Sequence, residues 1–414
     1  MPRVALVIAL ALTATAACAA PDGLIEGSDA RLFPLGCYEL PKEDAALEAM
    51  ADAGFNLLRC RSTADLDRVH RLGMRGVMPL PFQQGASDAL RERVAEAVRH
   101  PALAVWEGPD EVVWNFTAYS GLHRTMGVHK VSGEWWMQTP EALEYSRKKA
   151  EEIIPNMREA VAMIRELDEH DRPVWINEAQ RSDVFYVRQY IDFVDITGCD
   201  IYPISDHDRD VARVGAGTER WKQVGRGKPV YMVLQAFSWH ELGDRHADNE
   251  PAYPSFAESR FMAYDVIVHG ARGILYWGSH YLTNDACRQA VYAVVSELAA
   301  LQPFLVAPEA AGVGLSLIEF PHPWKKPHVQ LSVRAVEDEW LVILVNEDKE
   351  DHMGVVVEGL DAIEGRTLHL LYGDESRTIA HGELITRMQE HDVKIFATDR
   401  KWEADRREGR DYKE

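Results

Sequence analysis

The sequence predicts a (β/α)8 barrel followed by a small antiparallel β-sandwich. Eight short apolar runs alternate with helical segments between residues 30 and 301, which is typical of a parallel sheet with crossover helices. No glycine-rich phosphate loop follows the first run, which disfavours an open doubly wound sheet. Apolar residues alternate strictly over residues 328–336, inside the predicted sandwich. The 414 residues leave room for a barrel of about 250 residues and a second domain.

The eight runs are the predicted barrel strands. They are Leu35–Glu39, Phe55–Cys60, Arg75–Leu80, Leu103–Glu111, Pro173–Glu178, Val194–Tyr202, Pro229–Phe237 and Gly273–Gly278. Helices between them have recognisable ends. Residues 41–53 have helical spacing and stop at Gly54, Thr139 is placed to cap a long helix, and Ser255 with Glu258 forms a predicted capping box.

Two strand-to-helix connections are much longer than usual, at residues 112–139 and 238–254. Their notable side chains are Trp114, Phe116, Tyr119, Trp135 and Trp136 in the first, and Trp239, His240, Glu241 and Asp244 in the second. In a barrel both connections stand on the carboxyl-terminal rim, where active sites are built. The alternative interpretation is that these aromatic side chains simply hold the loops against the scaffold.

The pattern changes after residue 301. Residues 302–314 are predicted to be a linker, and residues 315–399 a β-sandwich with strands at 328–336, 340–345, 353–357, 367–372 and 393–397. The tail, residues 400–414, is almost wholly charged and is expected to fray.

The first twenty residues are a predicted signal peptide. A short basic start at Arg3 precedes an apolar run, Val4–Ala17, that is too short to span a bilayer as a mature helix. The sequence before Cys18 approaches a bacterial lipobox, with Thr15 where Leu is usual. Lipidation of Cys18 and plain cleavage near Ala20 are both open. The predicted location is therefore outside the bacterial cytoplasm, as a periplasmic, cell-surface or secreted protein.

Charge and cysteine content narrow the possible ligands. A net charge of −21 disfavours nucleic acid and anionic lipid as partners. The chain has no C-x-x-C pair and no H-E-x-x-H motif, so no metal or cofactor is predicted. Residues 206–210 space carboxylates like a calcium loop but lack the glycine and the distal glutamate. A solvated acidic loop is the favoured interpretation of that segment.

The most informative segment is Trp106-Glu107-Gly108-Pro109-Asp110-Glu111, at the end of the fourth strand. Adjacent carboxylates at a strand end are costly unless they are solvated, paired or used. The structural alternative is that Asp110 and Glu111 cap the following helix.

This segment resembles the W-x-x-x-D-E end of strand four in clan-A-like glycoside hydrolases, akin to the family 42 β-galactosidases and cellulase-like barrels. The resemblance covers residues 30–300 and implies that Glu111 is the general acid/base. Three further strand ends are similar to substrate-contacting positions in that group: Arg59 at the second, Asp200 with Tyr202 at the sixth, and Trp277 at the eighth. In the same group a glutamate closing strand seven is the nucleophile, and here Gln235 stands in its place.

Glycoside cleavage needs two carboxyl groups. One protonates the leaving oxygen, and the other attacks the sugar or activates water. Because an amide can do neither, Gln235 leaves the second role open. The candidates are Glu178 as first choice, then Asp200, then Glu241. A retaining and an inverting mechanism both remain possible.

The remaining predicted binding residues are Asp110, Asn177, Gln235, Trp106 and Trp239. The tryptophans are included because aromatic rings pack against the C–H faces of sugars. Core packing is the alternative for each tryptophan. The sequence thus predicts an exported glycoside hydrolase acting on a polysaccharide or oligosaccharide. A non-catalytic carbohydrate-binding barrel is the alternative, and a scaffold for protein partners is a third reading. Oligomeric state is left open.

Overall fold

The computed structural model describes residues 22–119, 139–243, 250–278, 282–319 and 328–405. Its centre is a closed barrel of eight parallel strands, as predicted. A short antiparallel pair precedes the barrel, β1 (Ile25–Glu26) and β2 (Arg31–Leu32). The barrel strands are β3 (Leu35–Cys37), β4 (Leu57–Arg59), β5 (Arg75–Pro79), β6 (Leu103–Glu107), β7 (Val174–Ala179), β8 (Ile196–Ile201), β9 (Val230–Gln235) and β10 (Gly273–Trp277).

Alternate strand residues point into the barrel, because successive side chains of a strand face opposite sides. The interior is packed by one apolar cluster, which comprises Ile25, Leu57, Val77, Val105, Trp175, Ile196, Tyr231, Val233 and Leu275. The chain enters at the amino-terminal end of the strands, where the Tyr231 hydroxyl donates to the Gly23 carbonyl at 2.6 Å. The next inward-facing residues along the strands, two positions after those of the apolar cluster, therefore meet at the opposite, carboxyl-terminal end of the barrel.

Helices cover the outside of the barrel. They are α1 (Asp44–Ala53), α2 (Thr63–Arg71), α3 (Asp88–Ala97), α4 (Val112–Trp114), α5 (Pro140–Leu167), α6 (Val184–Tyr190), α7 (Arg213–Val224), α8 (Phe256–Val268), α9 (Asp285–Ala300) and α10 (Gln302–Val306). The predicted ends are confirmed at three of them. Gly54 ends α1 with φ 99°, Thr139 caps α5, and Ser255 with Glu258 forms the capping box of α8.

Two antiparallel sheets form the predicted sandwich. One has the order β11-β14-β17 and the other β12-β13-β18-β15-β16. Their strands are β11 (Gly314–Glu319), β12 (Val329–Val336), β13 (Glu339–Asn346), β14 (Met353–Glu358), β15 (Thr367–Leu370), β16 (Ser376–Thr378), β17 (Leu384–Met388) and β18 (Val393–Ala397). A second apolar core lies between the sheets, with Val342, Val355 and Phe396 among its members.

The structure differs from the sequence prediction at both edges of the sandwich. The predicted linker begins with α10, because Phe304 and Leu305 bury their side chains against the barrel. The charged tail begins with an ordered turn, Arg400–Trp402, whose Trp402 ring lies 4.8 Å from that of Phe304. Apolar anchors at these positions outweigh the polar composition around them. Strands β11, β16 and β17 were also not predicted.

The predicted signal peptide and Cys18 lie outside the described residues. Within the part of the chain that the structure describes, no helix combines the length and apolarity needed to cross a membrane.

Candidate active site at the carboxyl end of the barrel

A pair of carboxyl groups, Glu111 and Asp200, lies at the carboxyl end of the barrel and shares a hydrogen bond. Asp200 points inward from β8 and is buried, whereas Glu111 is half-buried at the rim. The Glu111 N–H donates to the Asn177 carbonyl at 2.9 Å, and Glu111 adopts a left-handed backbone with φ 50°. Such a conformation is uncommon for glutamate and is often found at functional sites.

Both pKa values of this pair are raised. Burial is the main cause for each, and the negative charges of neighbouring carboxylates add to it. Two carboxyl groups in hydrogen-bond contact hold one proton between them near neutral pH, since ionising both would place like charges together. The pair can therefore supply one acid and one base.

Asp110 and Asn177 connect this pair to the barrel wall. The Asn177 amide donates to Asp110 Oδ1 at 3.1 Å and to Asp200 Oδ2 at 3.3 Å. The hydroxyl groups of Tyr38 and Tyr202 donate to the same two carboxyl groups, Tyr38 to Asp110 and Tyr202 to Asp200, each at 3.4 Å. Burial raises the pKa of Asp110 as well. One amide thus holds two carboxyl groups beside each other.

A fourth carboxyl group, that of Glu107, was not singled out from the sequence. It is fully buried on the inward face of β6, and its Oε2 accepts from Arg59 Nε at 2.7 Å. Burial raises the pKa of Glu107 to about 7, against the opposing effect of the Arg59 charge. The guanidinium group also lies 4.9 Å from the centre of the Tyr38 ring. Strand parity could have identified Glu107, because Val105 two residues earlier faces the same interior.

Aromatic rings line one side of the group. The Trp277 ring centre lies 5.3 Å from that of Tyr202 and 4.7 Å from that of Phe237. Trp239 follows β9 and lies 6.1 Å from Tyr202, and its indole N–H donates to the Tyr202 carbonyl at 3.3 Å. Trp239 and Trp277 both keep part of their surface exposed. They offer the apolar ring faces that a sugar would need beside the carboxyl groups.

Glu178, the first choice for the second carboxylate, does not join this group. It lies on the outward face of β7 and is fully buried towards the helices. Its carboxyl group accepts from the Ser182 and Tyr190 hydroxyls at 2.7 and 2.9 Å, and from the Val113 N–H at 3.1 Å. Burial raises its pKa to about 7 in spite of these donors. Glu178 therefore fixes the start of α4 and has no access to the barrel mouth.

Gln235 and Trp106 also have structural partners. The Gln235 side chain exchanges hydrogen bonds with the backbone of Ile204 at 2.8 Å in both directions. Trp106 is fully buried on the outward face of β6, and its indole N–H donates to Asp168 Oδ2 at 2.8 Å. Trp106 faces away from the barrel interior, which corrects its predicted role in binding. Gln235 follows Val233 on the inward face of β9, where the backbone of Ile204 and Phe237 binds its amide group. Core packing, the alternative considered for Trp106, is what the structure has.

The capping alternative for Glu111 also fails. Glu111 occupies the residue before α4, but its side chain makes no capping hydrogen bond. Glu241, the third candidate for the second carboxylate, lies in the turn Trp239–Leu242 and accepts from the Thr283 hydroxyl at 3.3 Å. Trp135, Trp136 and Asp244, predicted rim residues, lie outside the described residues.

No protein-family description matches this chain, and no curated protein matches it. Solved structures share its architecture at low identity. A β-galactosidase from Bacillus circulans sp. alkalophilus is 8% identical with a TM-score of 0.57, over 90% of this chain and 99% of that one. An arabinofuranosidase is 12% identical with a TM-score of 0.53, over 88% and 93%. A β-galactosidase from Rahnella sp. R3 is 9% identical with a TM-score of 0.52, over 91% and 99%.

Two other β-galactosidases, from Marinomonas ef1 and Halorubrum lacusprofundi, match over 60% and 59% of their own lengths. At identities of 8–12%, the three structures with TM-scores above 0.5 establish a shared fold. This chain thus has the fold of solved β-galactosidase and arabinofuranosidase structures, which agrees with the fold that the sequence resemblance implied.

Proposed function

We propose that this protein is a glycoside hydrolase in which Glu111 is the general acid and Asp200 its carboxylate partner. The observation that carries the proposal is the hydrogen-bonded Glu111–Asp200 pair at the carboxyl end of the barrel. This end is where barrel enzymes place their reacting groups. The half-exposed tryptophans beside it suit a carbohydrate ligand.

The surroundings favour one assignment of the two roles. Asp200 accepts from the Asn177 amide and the Tyr202 hydroxyl, and donors of this kind stabilise an ionised carboxylate. Glu111 is nearer to the rim, whereas the hydrogen bond within the pair raises the pKa of Asp200 and lowers that of Glu111, so the free pair keeps its proton on Asp200. In the proposed reaction this proton passes to Glu111, which protonates the leaving oxygen and leaves Asp200 ionised.

The closeness of the pair favours direct attack. An inverting enzyme needs roughly 6.5–9.5 Å between its carboxyl groups for a water, and a retaining one roughly 5–5.5 Å. Two groups in hydrogen-bond contact leave no room for that water, and a bound sugar would part them to about the shorter spacing. In this scheme Asp200 bonds to the anomeric carbon as the glycosidic bond breaks and Glu111 gives its proton to the departing oxygen. Water then attacks the same carbon, returns a proton to Glu111 and releases Asp200.

The test compares Glu111→Gln, Asp200→Asn and the matched control Glu178→Gln. Aryl β-galactosides and aryl arabinofuranosides are the first substrates, because the structural neighbours are named as a β-galactosidase and an arabinofuranosidase. Glu111→Gln is expected to lose about 10²–10⁴ in kcat on a poor leaving group and far less on 2,4-dinitrophenolate, which needs no protonation. Asp200→Asn should lose activity on both substrates. Glu178→Gln should stay within a few-fold of wild type.

Unchanged turnover of Glu111→Gln would remove the assignment. Glycan binding without products from the wild type, across a broad panel of oligosaccharides, would instead favour the non-catalytic carbohydrate-binding barrel. The anomeric form of the first product, followed by NMR, separates retention from inversion.

We further propose export and lipidation at Cys18. Support comes from the apolar run Val4–Ala17 before Cys18, and from Gly23, which lies at the amino-terminal end of the barrel. An anchor there would leave the Glu111 end facing away from the membrane. Radiolabelled palmitate should enter the wild type and not Cys18→Ser; equal labelling of both, or of neither, would contradict lipidation.

A further inference from the structure

A second cluster of ionisable side chains lies between the barrel and the sandwich, away from the carboxyl end. Asp265 and His269 stand one turn apart at the end of α8, so they lie on one helix face. Glu347 follows β13 and reaches them across the domain interface. Its Oε1 lies 2.8 Å from His269 Nε2, and the same nitrogen lies 3.8 Å from Asp265 Oδ1. One ligand atom from each residue falls within 4.8 Å of the others.

The Asp265 carboxyl group is incompletely satisfied. It is fully buried, and its Oδ2 accepts from the Gly215 N–H at 2.8 Å. Its Oδ1 is buried and, within the described residues, no N–H or hydroxyl group donates to it. The remaining hydrogen bond of this carboxyl group is with the Glu347 carboxyl group, so a proton has to lie between the two, and a bound cation could take its place. The nearby Glu347 carboxylate adds like-charge repulsion and, after burial, raises the pKa of Asp265.

Neighbouring groups hold the three side chains in this arrangement. Gln330 Nε2 donates to Glu347 Oε2 at 2.9 Å, which directs Oε1 towards His269. Gly215 of α7 approaches so closely that a Cβ there would lie 2.5 Å from both Asp265 Oδ2 and His269 Cδ2. A cleft of about 310 Å³ between the domains is lined in part by His269. In metal sites, the ligating side chains are typically held in place by hydrogen bonds to those of their atoms that do not bind the metal.

We propose that Asp265, His269 and Glu347 bind a divalent transition-metal ion, with zinc as the best fit, that joins the barrel to the sandwich. One imidazole and two carboxylates match the ligand types of zinc. Calcium and magnesium prefer cages of oxygen ligands, which the imidazole does not suit. Around zinc at roughly 2.0–2.2 Å, tetrahedral ligand atoms lie about 3.4 Å apart. The observed 2.8 and 3.8 Å bracket that spacing.

Such an ion would act mainly on stability. It would neutralise the two carboxylates, replace the proton that Asp265 and Glu347 share, and tie α8 to a residue 78 positions further along the chain. Because the ion binds the folded chain, the melting temperature Tm should rise with its concentration. The site is separate from the carboxyl end of the barrel, so the inference does not depend on the proposed glycosidase activity.

The test uses the full chain after removal of metals with EDTA. Isothermal titration with zinc chloride should give one site per chain, and Tm should rise by about 5 °C at a hundredfold excess over Kd. Magnesium and calcium chloride should give no such shift. When cobalt(II) is titrated into the metal-free protein, the visible absorption bands of a four-coordinate cobalt ion should appear.

Two variants make the assignment specific. Glu347→Gln should weaken zinc binding at least tenfold, whereas His328→Gln, an exposed neighbour 3.9 Å from Glu347 Oε2, should bind like the wild type. No one-to-one binding by the wild type, or unchanged affinity of Glu347→Gln, would overturn the proposal. A wild type without metal response would indicate that Asp265 and Glu347 share a proton instead.

Discussion

The barrel mouth and the domain interface both bury carboxyl groups close together, yet they balance their charge differently. At the mouth, the Arg59 guanidinium lies against Glu107, and a proton shared by Glu111 and Asp200 removes a further charge. At the interface, Asp265 and Glu347 also share a hydrogen bond, and His269 contacts Glu347 but stays 3.8 Å from Asp265 Oδ1. The mouth carries its own cation, whereas the interface has a position that an external cation would complete.

A raised carboxyl pKa therefore has a different consequence at each of the two places. At the mouth, Glu111 keeps partial exposure and aromatic side chains stand nearby, so its proton can be passed to a ligand. At the interface, Asp265 is fully buried against α7. Its protonation state therefore affects the stability of the fold and is not available to a ligand. A raised pKa by itself does not distinguish the two cases. They are distinguished by whether the carboxyl group is accessible to solvent.

The largest expected effect follows from removing the cation of the mouth. Arg59→Met leaves Glu107 buried without its partner and should destabilise the fold by about 3–5 kcal/mol, measured by urea unfolding. Without Arg59 the pKa of Glu107 rises further above its value in the unfolded chain. Stability should therefore fall as pH rises from 6 to 8, because a carboxyl group with a raised pKa favours folding only while protonated.

Arg61→Met, at an exposed neighbour, is the control and should change stability by less than about 0.5 kcal/mol. The double variant Arg59→Met with Glu107→Gln should recover most of the loss. If the double variant is no more stable than Arg59→Met alone, the pair does not account for the effect.

A smaller effect of opposite sign is expected at the interface. Asp265→Asn retains an oxygen for the Gly215 N–H and replaces one of two facing carboxylates with an amide that can donate to Glu347. We expect the metal-free protein to gain about 1–3 kcal/mol at pH 8, again by urea unfolding. Asp52→Asn, at an exposed position on α1, should have no such effect. A loss of stability in metal-free Asp265→Asn would show that its charge is already compensated.

The smallest effect concerns the pH profile of the mouth. Burial raises the pKa of Glu111 most, and the charge of Asp110 raises it further. Asp110→Asn removes that charge, so Glu111 should lose its proton at lower pH. The alkaline limb of kcat/KM is therefore expected to move down by about one pH unit on a substrate with a poor leaving group. A limb that stays in place or moves up would exclude Glu111 as the acid.

Local sequence signals predicted the elements well. The eight strands were found from apolar runs, and the ends of α1, α5 and α8 from Gly54, Thr139 and Ser255. These signals act within a few residues of each other, so the sequence displays them directly. The prediction was less successful for α10 and the Arg400–Trp402 turn, whose order depends on Phe304 and Trp402 meeting across the fold.

The carboxyl-bearing barrel end followed from the sequence, because strands of a barrel must end together. Which carboxyl groups meet was decided by the tertiary structure. Glu178 and Asp200 both lie near the end of a strand, but they differ by one position in the alternation of side chains. Glu178 therefore faces the helices, whereas Asp200 faces the barrel interior. The same holds for Glu347, which contacts Asp265 and His269 only because the sandwich packs on α8. Residue type and strand position are local properties, whereas side-chain direction and packing between domains belong to the folded chain.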